Sequence, residues 1–90
     1  MSASGIRIYT TRACPYCRMA KELLRMRHLA YEEISVDDDF EARAEMAQRA
    51  QGRSTVPQIF FGQTHIGGCD ELYELDSSGR LDALIATLAR

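Results

Sequence analysis

Ile6-Arg7-Ile8-Tyr9-Thr10-Thr11-Arg12-Ala13-Cys14-Pro15-Tyr16-Cys17 is the stretch whose reading decides the fold. Its first five residues are β-formers with apolar side chains at Ile6 and Ile8, the period of a short strand. A C-x-x-C pair follows, and from Pro15 to about His28 the pattern turns helical. Cys17, Ala20 and Leu24 mark one stripe and Met19, Leu23 and Met26 its neighbour, as in a helix lying on a core. Pro15 suits the first helical position, because its missing N–H has no helical partner to lose.

Downstream, Tyr31 to Val36 reads as a second strand, with Ile34 and Val36 set against polar Glu33 and Ser35. Asp37, Asp38 and Asp39 offer N-cap oxygens. Asp38 with Glu41 resembles a capping box for a helix from Phe40 to Ala50, with Gly52 near its C-terminal cap. Pro57 opens a third strand, Gln58 to Phe61, and Gly62-Gln63 makes a tight turn into a fourth, Thr64 to Ile66. After the Gly67-Gly68 break, Asp70 caps a short helix with Leu72 and Leu75, Gly79 ends it, and Leu81, Leu84, Ile85 and Leu88 give a last amphipathic helix. The order is β-α-β-α-β-β-α-α. A β-α-β unit demands a parallel pair and a hairpin adds an antiparallel one, so the expectation is an α/β fold: a four-stranded mixed sheet flanked by helices.

Composition narrows the function. Ninety residues allow one domain, 1–90, and 46% apolar with 27% charged residues is a globular balance. Thirteen acidic against eleven basic residues give a net charge of −2, without the basic field that nucleic-acid binding needs. No apolar run approaches the ~20 residues of a membrane span, and Met1-Ser2-Ala3-Ser4-Gly5 lacks the blocks of a signal peptide, so the expected location is the cytoplasm. Three cysteines are too few, and odd in number, for a disulfide-stapled secreted domain. In a reducing compartment, Cys14 and Cys17 point to redox or metal chemistry.

Their placement favours redox. One helical turn apart, the two thiols lie ~5 Å from each other, within reach of a disulfide. Cys14 stands at the N-cap, where free N–H groups and the helix dipole favour a thiolate, and Cys17, one turn inside, receives less of this help. Arg12, Arg18, Lys21, Arg25 and Arg27 surround them with basic charge against the single acid Glu22. A zinc site of Cys14, Cys17, His65 and Cys69 is the rival, disfavoured because structural zinc in so small a domain usually replaces the regular core that this pattern already provides. His28 and His65 read as a helix-end and a strand residue.

Cys14-Pro15-Tyr16-Cys17, Ser54-Thr55-Val56-Pro57-Gln58-Ile59-Phe60 and Gly67-Gly68-Cys69-Asp70, in this order and spacing, resemble a glutaredoxin of the dithiol, single-domain class, and the match covers essentially the whole chain. The resemblance implies a thioredoxin-like fold and a glutathione-dependent thiol–disulfide oxidoreductase, with glutathione as reductant and co-substrate and no metal. It casts Cys14 as the thiol that attacks glutathione mixed disulfides and Cys17 as the resolving thiol for protein disulfides. Val56, before a cis bond to Pro57, would pair with the cysteinyl backbone of glutathione, with Thr55 alongside. Gly68, Cys69 and Asp70 would receive the γ-glutamyl end, Tyr16 would flank the sulfur, and Arg43 would meet the glycyl carboxylate.

One departure stands out: the family's lysine three residues before the first cysteine is Thr11 here, with Arg12 one place later, so that either Arg12 substitutes from a shifted position or the carboxylate contact is weaker. Cys69 is not needed by the mechanism. The implied partners are glutathione and glutathionylated or disulfide-containing proteins, with ribonucleotide reductase among them by family resemblance, and a monomer is expected. Two alternatives differ in class or reductant. One is a module holding an iron–sulfur cluster between two chains through Cys14 and glutathione thiolates, which visible absorbance would reveal. The other is a redoxin serviced by thioredoxin reductase.

Overall fold

The computed structural model describes residues 5–88, so Met1-Ser2-Ala3-Ser4, and with it most of the stretch read for a signal peptide, lies outside the described residues. The elements run β1 (Ile6–Thr10), α1 (Pro15–Met26), β2 (Glu32–Ser35), α2 (Phe40–Arg49), β3 (Gln58–Phe61), β4 (Thr64–Gly67), α3 (Cys69–Ser77) and α4 (Leu81–Leu88). This is the predicted order. The strands lie as β2-β1-β3-β4, with β1 parallel to β2 and antiparallel to β3, and β3 antiparallel to β4. The sheet is therefore mixed, and β1 sits inside it, its C-terminal end feeding the loop that carries Cys14.

Alternation along the central strands splits the core in two. Ile6, Ile8, Ile59 and Phe61 face Ala20, Leu23 and Leu24 of α1, Leu72 of α3 and Leu81 of α4. Tyr9, Val36 and Phe60 face Met46 of α2 and Ala50 just beyond it, with the Tyr9 and Phe60 rings edge to face at 5.7 Å. All four residues of β3 are buried because helices cover both of its faces. On α1 only one expected stripe is fully interior: of the second, Leu23 is buried in the core, while Met19 and Met26, a turn to either side of it, are exposed.

Two caps differ from expectation. Asp39, not Asp38, caps α2, its Oδ1 accepting the Ala42 N–H at 3.0 Å, while Asp38 takes a left-handed turn at φ 54 and points its carboxylate toward Arg12. At α3 the N-cap is Gly68, and Asp70 lies inside the first turn. The cap oxygen comes from Glu71, whose Oε1 accepts the Gly68 N–H at 2.6 Å. Gly67, at φ +118, is required here: a Cβ would lie 2.6 Å from that same oxygen.

Candidate active site

Cys14 ends the β1–α1 loop with an extended backbone, φ −138 and ψ 97, that turns its side chain back over the first turn of α1. The Cys17 N–H donates to Cys14 Sγ at 3.1 Å, so an otherwise unpaired helix donor is aimed at the sulfur, where it stabilises negative charge. The two cysteines form a disulfide with a Cα–Cα distance of 5.2 Å, inside the range that sequence spacing predicts. Cys17 is only 1% exposed, whereas the adjoining Tyr16 is 59% exposed.

A groove lies between two segments that are distant in sequence. One wall is Thr55, Val56 and Pro57; the other is Gly68, Cys69, Asp70 and Glu71, with Tyr16 and Arg53 closing its sides. Cys14 Sγ lies 3.9 Å from the Val56 carbonyl oxygen at the margin of this groove. The Val56–Pro57 bond is cis.

The first wall is held from behind. Gln58, fully buried, donates through Nε2 to the Thr55 carbonyl at 3.1 Å and to Thr55 Oγ1 at 3.3 Å. Its Oε1 is therefore the acceptor for His65 Nε2 at 2.7 Å, which fixes the imidazole's donor nitrogen. Burial, and then the nearby Arg53 charge, push the His65 pKa below its ordinary value against a weaker pull from Glu71. The two walls approach closely at Gly68, where a Cβ would lie 3.3 Å from the Pro57 carbonyl oxygen.

Of the residues singled out in the sequence, the groove gathers Tyr16, Thr55, Val56, Pro57, Gly68, Cys69 and Asp70. Arg12 and Arg43 are not among its walls. The Arg43 guanidinium donates from Nε and Nη2 to the Ser54 carbonyl at 3.2 and 3.0 Å, which makes it a brace for the loop before Thr55. Arg12 reaches Asp37 at 3.6 Å and Asp38 at 3.7 Å, drawn away by the acids that follow β2. His65 is engaged with Gln58 and stacked on Phe60.

A sequence model of the glutaredoxin family matches residues 6–66. The chain belongs to the glutaredoxin family. It is 52% identical over 79 residues to the glutaredoxin of Pseudomonas aeruginosa, covering 88% of this chain and 93% of that one. It superposes on the solution structure of the Brucella melitensis glutaredoxin with a TM-score of 0.78 at 49% identity, over 89% of this chain and 86% of that one. The buckwheat glutaredoxin–glutathione complex matches with a TM-score of 0.83 at 30% identity, over 94% of this chain and 79% of that one. Like its relatives, this glutaredoxin is a glutathione-dependent thiol–disulfide oxidoreductase with a thioredoxin-like fold, and its Cys14–Cys17 pair is of the dithiol class.

Sequence reasoning missed two groove residues of this glutaredoxin. Arg53 supplies its cation and sits 3.6 Å from Glu71 Oε1. The only sequence signal was a basic residue directly before the Ser54-Thr55-Val56-Pro57 motif. Glu71 was hidden because the sequence reading makes Asp70 the cap; with Gly68 as the N-cap, Glu71 is the N3 glutamate of a capping box, bonding back to the Gly68 N–H. The Gly68 N–H, above all, holds the Glu71 carboxyl below its ordinary value of 4.5; burial opposes this, and Arg53 adds to it.

A depressed carboxyl stabilises the fold above its unfolded pKa, and the contribution is lost as pH falls through the lower folded value. Thermal melts from neutral to acid pH should therefore show wild type losing stability below the ordinary glutamate range. Glu71→Gln, which keeps the acceptor oxygen without the charge, should flatten that part of the curve. Parallel curves for the two proteins would remove Glu71 from the account.

Among the described residues, no helix is long and apolar enough to cross a membrane. Burial, reinforced by Asp70 and Glu71, raises the Cys69 thiol above its ordinary value, so Cys69 is a protonated wall of the groove near neutral pH.

Proposed function

We propose that the groove beside the disulfide is the glutathione site and that Cys14 is the attacking thiol. The observation that carries this reading is the position of Cys14 Sγ, 3.9 Å from the Val56 carbonyl oxygen, at the margin of a groove that has peptide groups on one wall and the start of a helix on the other. An extended tripeptide laid along Val56 pairs as a strand pairs with an edge. Its sulfur then comes to Cys14 and its γ-glutamyl end to Gly68, Cys69 and Asp70, where helix N–H groups suit the carboxylate and Asp70 the ammonium. Arg53, which lines the groove, is the cation placed to meet a carboxylate of the ligand, while Arg43 is bonded to the Ser54 carbonyl and Arg12 is paired with Asp37 and Asp38. Tyr16 flanks the sulfur, and Thr55 completes the wall.

In the cycle that follows, the Cys14 thiolate attacks the glutathione sulfur of a mixed disulfide. The substrate thiolate leaves and takes a proton, and a second glutathione thiolate then removes the first as oxidised glutathione. With a protein disulfide, Cys14 becomes linked to the substrate. Cys17 attacks Cys14 Sγ, releases the reduced substrate and closes the disulfide, which two glutathiones reopen. The partners are glutathione and glutathionylated or disulfide-containing proteins, with ribonucleotide reductase proposed by family resemblance. The protein works as a monomeric single domain, 1–90, in the cytoplasm, where the glutathione pool is reducing.

Asp70→Asn tests the groove apart from the thiols. Asp70 is not the α3 cap, so the variant removes a charge while Glu71 still holds the helix start. A charge-assisted hydrogen bond is worth ~1.5–3 kcal/mol, which predicts an apparent affinity for glutathionylated peptide weaker by about ten- to a hundredfold. Alkylation of Cys14 should barely change. Normal kinetics in this variant would move the γ-glutamyl site elsewhere.

A further inference from the structure

A second cavity of about 280 Å³, sharing no wall residue with the groove, is lined by Cys17 together with Arg12, Arg18, Lys21 and Glu33. It is roomy enough for water, since one molecule needs only ~10–15 Å³ of such space. Lys21 stands four residues after Cys17 on α1, hence on the same helix face. Its ammonium donates to Glu33 Oε2 at 3.0 Å, and the buried Thr10 hydroxyl donates to the same oxygen at 2.7 Å. The lysine is thus tied by a carboxylate from β2 and, through it, by a hydroxyl from β1. The glutathione groove uses none of these three residues.

We propose that Lys21, anchored by Glu33 and Thr10, is a positioning residue for the second half of the dithiol reaction, its ammonium favouring the Cys17 thiolate inside this cavity. The inference rests on the reading of Cys17 as the resolving thiol. A sulfur only 1% exposed pays a desolvation penalty when it ionises, and Cys17 lacks the N-cap position that helps Cys14. In the resolving step Cys17 gives its proton to water. The Cys17 sulfur then bonds to Cys14 Sγ, the bond from Cys14 to the substrate breaks, and the departing thiolate takes up a proton. A cation near Cys17 stabilises the charge that this step needs first.

The charged groups around Cys17 come from three sides. The β1–α1 loop and α1 bring Arg12, Arg18 and Lys21, and β2 brings Glu33. Arg12 is neutralised by Asp37 and Asp38. On α3, which packs on α1, Cys69, Asp70 and Glu71 face the glutathione groove, Tyr73 bonds the Met19 carbonyl and Asp76 pairs with Arg27. Burial tends to raise the Glu33 carboxyl, but the Thr10 hydroxyl and Lys21 together hold it below its ordinary value, so the anchor stays ionised at neutral pH.

The experiment follows closure directly. Reduced protein is mixed with oxidised glutathione and quenched in acid at short times, and mass spectrometry separates the Cys14–glutathione adduct from the intramolecular disulfide. If Lys21→Met raises the Cys17 pKa by one unit, the thiolate fraction at neutral pH falls tenfold while nucleophilicity rises with a Brønsted slope of ~0.4–0.5, so closure slows about three- to fourfold. The acid limb of its rate–pH curve moves to higher pH by the same unit. Lys21→Arg should restore the rate. Glu33→Gln, which removes the anion and keeps an acceptor for Thr10, should close no more slowly than wild type. Reduction of glutathionylated peptide in a Cys17→Ser background should not share the Lys21→Met deficit.

Closure at the wild-type rate in Lys21→Met, failure of Lys21→Arg to restore it, or equal slowing by Glu33→Gln would each overturn the proposal. The last result would mean that the pair is only a structural tie. If Cys17→Ser itself reduced protein disulfides normally, the reading of Cys17 as resolving thiol would fail instead, which separates the two failures.

Discussion

Cys14→Ser should bring all thiol–disulfide exchange down by on the order of a thousandfold or more, because one sulfur is both the nucleophile that takes glutathione from the substrate and the leaving group when the second glutathione removes it. Cys17→Ser should divide the activities. Reduction of glutathione mixed disulfides needs only Cys14 and external glutathione, so it should persist. Reduction of protein disulfides should lose most of its rate, because no internal thiol then displaces the bound substrate.

The asymmetry follows from geometry. Cys14 holds the N-cap and accepts the Cys17 N–H at 3.1 Å, whereas Cys17 is sealed behind it at 1% exposure. The Cys17→Ser variant retains that backbone donor, so the nucleophile should keep its stabilisation. An NADPH-linked assay with glutathione reductase, run once with glutathionylated peptide and once with a protein disulfide, reads both activities. Equal loss in both variants would sink the division of labour.

The largest effect on stability should come from Leu24→Ala. Leu24 is fully buried in α1 within the cluster that includes Ile6, Ile8, Ile59 and Leu72. Truncating a buried leucine costs ~2–5 kcal/mol, transfer and cavity together, out of a total stability of only ~5–15 kcal/mol. In a domain of this size each kcal/mol moves the midpoint by ~4–8 °C, so the melt should drop by about 10–30 °C. Met26→Ala on the same helix is the control. Met26 is 65% exposed, and its loss should lie within about 0.5 kcal/mol of neutral. Urea titrations should show a lower midpoint with an unchanged slope for Leu24→Ala; a cost no larger than that of Met26→Ala would place Leu24 outside the core.

Those two residues also mark where the sequence stops being informative. Periodicity put both on apolar stripes of α1, because spacing reports which residues share a helix face but not where that face ends. Which stripe meets the sheet depends on how α1 seats on β1 and β3, a tertiary matter. Local signals were enough for the element order, for Cys14 at a helix N-terminus, for the turn at Gly62-Gln63 and for the disulfide spacing, since each depends on neighbours a few residues apart. The shifted caps show the limit even locally. Three consecutive aspartates before α2 offer equivalent oxygens, and only the backbone path, with Asp38 left-handed, selects Asp39.

The groove was legible where a motif carried it and illegible where it depended on long-range reach. Arginine is long enough to choose among several partners, so the sequence could not say that Arg43 would brace Ser54, that Arg12 would turn to Asp37 and Asp38, or that Arg53 would line the site. The strand order β2-β1-β3-β4 was also beyond it, because nothing in a run of β-formers names its partner. By itself the sequence determined the elements, the redox pair and the family. The tertiary structure decided which residues meet: Thr55 to Pro57 and Gly68 to Glu71 come together in the groove, and Thr10, Lys21 and Glu33 come together in the cavity that Cys17 lines. The physical reason is that both sets lie on separate elements, and only the packing of the sheet brings side chains from those elements within hydrogen-bonding distance.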